Sequence, residues 1–70
     1  MSKQYFFRIN GVSSNESVEL LEQILKIEKG VESAEIDLET SMASVKASIP
    51  AENIVTIIMQ AGYNAVLLSD

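Results

Sequence analysis

Seventy residues with a formal net charge of −5, of which 47% are hydrophobic and 21% charged, point to one packed core in a single domain spanning 1–70 and argue against disorder. The chain has neither cysteine nor histidine, so disulfides, thiolate and zinc chemistry and imidazole acid–base catalysis are all excluded, and a non-catalytic domain is expected. The acidic balance disfavours nucleic acid and anionic lipid as partners, no apolar run approaches the roughly 20 residues that cross a bilayer, and no signal-peptide pattern opens the chain, so a cytoplasmic domain is expected.

Tyr5, Phe7 and Ile9 alternate with Phe6, Arg8 and Asn10, which predicts a first strand ended by Gly11. A polar run follows, with Ser13 and Glu16 spaced as a capping box, and a helix is expected from about Ser14 to about Lys29, with Gly30 as its left-handed stop. Glu22 stands four residues before Lys26, the spacing of a surface ion pair. At roughly 100° per residue, Val18, Leu20, Leu21, Ile24, Leu25 and Ile27 fall within about half the circumference, with Ser17 and Glu28 inside the same arc. Glu19, Glu22, Gln23, Lys26 and Lys29 form the solvated side.

Val31 to Leu38 reads as a second strand, with Ala34, Ile36 and Leu38 toward the core and Glu35, Asp37 and Glu39 toward water. Thr40-Ser41 is the expected tight connection to a third strand, in which Ala43, Val45 and Ala47 alternate with Ser44, Lys46 and Ser48. Pro50 suits a first helical turn and Glu52 the positive end of the dipole. Ile54, Ile57, Ile58 and Ala61 then repeat at helical spacing up to Gly62. Tyr63 to Leu68 alternates again and reads as a closing strand. The order is βαββαβ, and right-handed crossovers turn it into an α+β, ferredoxin-like domain: a four-stranded antiparallel sheet with both helices on one face.

That topology hosts many activities, and the local sequence says more. Ile9-Asn10-Gly11-Val12-Ser13-Ser14-Asn15-Glu16-Ser17 resembles the loop of heavy-metal-associated domains, which reads Gly-Met-Thr-Cys-x-x-Cys after a strand. The resemblance continues through Gly30-Val31-Glu32-Ser33-Ala34, Ile36-Asp37-Leu38 and Ala43-Ser44-Val45, and closes on Ala61-Gly62-Tyr63-Asn64-Ala65, similar to the family's Gly-Tyr-x-Ala signature. It covers nearly the whole chain. Glu28 takes a place where relatives commonly carry an apolar residue, which implies packing shifted onto Ile27.

The resemblance puts Ser14 and Ser17 where the family has its two metal-binding cysteines, Gly11, Val12 and Ser13 in the rest of the loop, and Tyr63 in the place of the nearby aromatic. Thiolates hold Cu(I) because both partners are soft, whereas a serine hydroxyl is hard and keeps its proton near neutral pH. No tight Cu(I) binding and no cofactor are therefore expected. The only sulfur atoms are in Met1, Met42 and Met59; Met42 is assigned to a hairpin distal from the loop and Met59 to the core side of the second helix. An oxygen site for Ca²⁺ or Mg²⁺ lacks carboxylates, since Glu16 is the one acid in the loop. Ser17 has no histidine to activate it as a nucleophile.

The resemblance implies a degenerate heavy-metal-associated domain, an N-terminal cytoplasmic domain of a copper-transporting P-type ATPase tethered through that transporter. Its expected partners are a sister metal-binding domain, a copper chaperone or the ATPase body. Glu16, Glu19, Leu20 and Ile27 are the candidate docking residues: Leu20 and Ile27 because the first helix is apolar over an unusually wide arc, Glu16 and Glu19 because acids along a helix edge can steer a basic partner. The alternatives are a copper chaperone domain whose ligands have been removed and, from another class, a ferredoxin-like binding module for a different ligand. An RNA reader needs a basic field behind Phe6, and acylphosphatase chemistry needs an arginine in a phosphate loop, whereas Arg8 lies in a strand.

Overall fold

A computed structural model describes residues 2–69 and gives the order β1 (Lys3–Asn10), α1 (Asn15–Lys26), β2 (Val31–Asp37), β3 (Met42–Ala47), α2 (Ala51–Gln60) and β4 (Asn64–Ser69). The strands form one antiparallel sheet in the order β2-β3-β1-β4, the ferredoxin-like arrangement expected from the alternation of elements. Tyr5, Phe7 and Ile9 of β1 and Ala43, Val45 and Ala47 of β3 are buried, because these central strands send every second side chain under the helices. Leu21 and Leu25 from α1 and Ile54 and Ile58 from α2 complete the same cluster, so both helices lie on one face. Burial of such side chains contributes about 1.5–3 kcal/mol each.

Several boundaries differ from expectation. α1 stops at Lys26 rather than Lys29, and the chain leaves it through a tightened turn in which Glu28 N–H donates to Leu25 O at 3.2 Å and Val31 N–H to Glu28 O at 3.1 Å. Ile27 is 83% exposed and Glu28 is exposed too, so packing is not shifted onto Ile27. Gly30 does take a positive φ of 97°, and a Cβ there would come within 2.6 Å of Ile49 Cγ2. Pro50 precedes α2 as its N-cap instead of sitting inside the first turn.

Glu22 does not stay on the solvated side of α1. Its Oε2 accepts the N–H of Ile36 at 2.8 Å, an edge donor of β2, and it is partly buried in doing so. The helix is thereby pinned to the outer rim of the sheet.

The connection between β2 and β3 is a turn over 38–41, longer than Thr40-Ser41 alone. Asp37 Oδ1 accepts Glu39 N–H at 2.9 Å, the local bond by which an aspartate starts a turn, and Ser41 takes a φ of 59°. Ile9 N–H then donates to Ser41 O at 2.8 Å, and Met42 lies across from Arg8. Antiparallel pairing thus sets the beginning of β3 beside the end of β1. The hairpin is at the same end of the sheet as the loop after Gly11, which corrects the expectation that Met42 is distal from it.

Candidate functional site

The loop that follows β1 is held from both sides. Gly11 has a φ of 103°, a region that favours glycine, and a Cβ on it would meet Tyr63 Cδ1 at 3.2 Å. Absence of that atom lets the half-buried Tyr63 ring lie against the loop backbone. Val12 turns inward and packs against the core cluster, while Ser13 stays exposed. One anchor is aromatic and the other aliphatic, and both tie the loop to the scaffold.

Ser14 is the N-cap of α1. Its backbone is extended, with φ −148° and ψ 161°, and its Oγ accepts the N–H of Ser17 at 3.2 Å. The two hydroxyl oxygens are 3.1 Å apart and share a hydrogen bond. Ser14 O accepts Val18 N–H at 3.1 Å and closes the first turn. The cap therefore runs from Ser14 to Ser17, one residue later than the Ser13–Glu16 box, because the capping oxygen must come from the extended residue immediately before the helix. Glu16, exposed in that first turn, sits where the helix dipole favours an acid.

These two hydroxyls stand at the loop positions that the resemblance aligns with soft ligands, and their bonds are spent within the protein as a helix cap. They fit poorly to a soft monovalent ion. Among the described residues, no group of three or more His, Cys, Asp or Glu is arranged to hold a metal ion. Met1 lies outside the described residues. Met42 is half-buried near the loop end, and Met59 is 56% exposed on α2 rather than filling the core. Ser17 Oγ bonds to Ser14, a neighbour that cannot serve as a general base.

The wide apolar arc of α1 is divided. Leu21 and Leu25 are fully buried, whereas Leu20 is 59% exposed. Glu16, Glu19, Leu20, Gln23 and Ile27 recur at three- and four-residue intervals and so form one outward stripe. A feature missed in sequence is an open cleft of about 790 Å³ that joins Asn15, at the start of α1, to the hairpin residues Asp37, Leu38, Glu39 and Thr40 and to Phe6. The signal was present: any βαββαβ sheet with β3 antiparallel to β1 brings that hairpin to the loop end.

A family model for the heavy-metal-associated domain matches residues 6–64. No curated protein matches the sequence significantly. Among solved structures, the CopZ metallochaperone superposes with a TM-score of 0.86 at 25% identity, covering 91% of this chain and 100% of that one. A yeast copper transporter domain, solved in the apo and Cu(I)-loaded states, gives 0.89 at 23% identity with 96% of each chain covered. Oxidized MerP from Ralstonia metallidurans gives 0.91 at 14% identity, covering 99% of this chain and 100% of that one. The last two likenesses speak for the fold alone. No helix among the described residues is long and apolar enough to cross a membrane.

Proposed function

Because the chain belongs to the heavy-metal-associated domain family, we propose that it serves a copper-handling system by docking to other proteins, without itself holding Cu(I) tightly. The family match and the similarity to a metallochaperone support a metal-handling system, and copper is the metal that the sequence resemblance implies. The observation that carries the reading is the Ser14–Ser17 pair: two hard, protonated hydroxyls in the loop position of the family's thiols, bonded to each other and to the helix they cap. Within this reading the domain is an N-terminal cytoplasmic unit of a copper-transporting P-type ATPase. It meets a sister domain, a chaperone or the ATPase body through Glu16, Glu19, Leu20 and Ile27.

Competition for Cu(I) against a chelator under reducing conditions tests the central point. The chain is expected to leave the chelator loaded; removal of one copper per chain at submicromolar affinity overturns the proposal. An NMR titration with a cysteine-bearing domain of the same copper system should move the amides of the α1 stripe with and without Cu(I), and absence of shifts in both conditions removes the docking role.

A second reading, a carrier domain stripped of its ligands, is favoured by the preserved geometry, since the side chains at 14 and 17 still converge to 3.1 Å. Ser14→Cys/Ser17→Cys should then gain a Cu(I) site in one step. A folded double variant that binds no copper argues against this second reading and leaves the docking proposal standing.

A further inference from the structure

The sheet has two outer strands, and they are treated differently. β2 carries Glu32, Glu35 and Asp37, and one of its edge donors, Ile36 N–H, is taken by the Glu22 carboxylate. Charge and a filled donor are the usual means by which an edge is kept from pairing with another chain. β4 has neither. From Asn64 to Ser69 it contains no charged residue, and Val66, Leu67 and Leu68 are 54%, 41% and 45% exposed. Successive side chains alternate between the two faces of a strand, so three consecutive exposed apolar residues mean that β4 is open to solvent on both sides. Its register with β1 is regular from Asn64 to Leu67; Leu68 is the extra residue of an irregularity, because Phe7 pairs with Leu67 and Phe6 with Ser69, so the straight edge runs from Asn64 to Leu67.

Charge selects the occupant. Between Ala47 and Ser69 the only charged residue is Glu52, at the start of α2, whereas Glu16, Glu19, Glu22, Glu28, Glu32, Glu35, Asp37 and Glu39 crowd the α1–β2 half. Among the described residues the one charge beside β4 is Arg8, across from Val66 on β1, so a basic partner finds no counter-charge there. Two copies of this acidic chain repel one another through their α1–β2 halves but not through β4. We propose that β4 is a self-association edge, on which a second copy adds its own β4 about a two-fold axis. The two four-stranded sheets then become one antiparallel sheet, with the regular stretch from Asn64 to Leu67 meeting its counterpart at the seam, Leu68 flanking it and both acidic halves pointing outward. The proposal is independent of whether the system served is copper. A single short strand per partner gives a small interface, so the dimer is weak, with a dissociation constant on the order of 100 µM.

Sedimentation of the 70-residue chain from about 10 µM to about 1 mM, in about 20 mM and about 300 mM salt, tests this. A monomer–dimer equilibrium that tightens with salt, is lost in Val66→Lys/Leu68→Lys and survives in Ile27→Lys is expected. A chain that remains monomeric at the highest concentration overturns the proposal, as does a dimer that the β4 variant leaves intact or that Ile27→Lys abolishes. Amide exchange on the unaltered chain needs no variant: raising the concentration should slow exchange in β4, and slowing confined to α1 or β2 refutes the assignment.

Discussion

Leu20 and Leu21 are adjacent and chemically identical, yet one is 59% exposed and the other fully buried. The difference is a rotation of roughly 100° about the helix axis. The sheet face accepts Leu21 and Leu25 from α1 beside Ile54 and Ile58 from α2, and leaves Leu20 and Ile27 outside. Helix α1 therefore carries more apolar surface than its own fold uses. Excess of that kind on a small acidic domain is suited to contact with another protein.

The contrast can be broken or sharpened by substitution. Leu21→Ala should have the largest effect, a loss of about 2–5 kcal/mol in urea unfolding, because it opens a cavity between α1 and the sheet. Ser14→Ala should come next, at about 1 kcal/mol, by releasing the Ser17 N–H that its hydroxyl holds, with amide exchange accelerated in the first turn of α1. Leu20→Lys should change stability by less than about 0.5 kcal/mol while removing the shifts that a partner domain induces in α1. A Leu20→Lys chain as unstable as Leu21→Ala would erase the distinction between the two leucines.

Much of the scaffold was legible because its signals repeat. Tyr5, Phe7 and Ile9 announce a half-buried strand, and Ile54 and Ile58 a helix face, through periodicity that packing then uses without change. What escaped was set by single contacts. Ser13, Ser14 and Asn15 are three consecutive residues that favour cap positions, and only backbone geometry selects Ser14. Glu22 looked like one more surface acid until the sheet rim presented Ile36 N–H to it. Met59 fell near the core side by helical phase, yet α2 is covered over Ile54 and Ile58 and leaves it exposed. The placement of the hairpin was different in kind: pairing direction determines it, and the strand order already contained it. At the site, the loop positions were legible from the resemblance, whereas the bond between Ser14 and Ser17 required coordinates.

The contact between Tyr63 and Gly11 gives the molecule an optical property. The chain has two tyrosines and no tryptophan, so its near-ultraviolet emission is phenolic. Tyr5 donates to Ile49 O at 3.2 Å near the entry to α2, while Tyr63 lies under the loop at the opposite pole. With Tyr5 replaced by phenylalanine, the remaining fluorophore reports on the loop alone, and rearrangements there become visible without an attached dye.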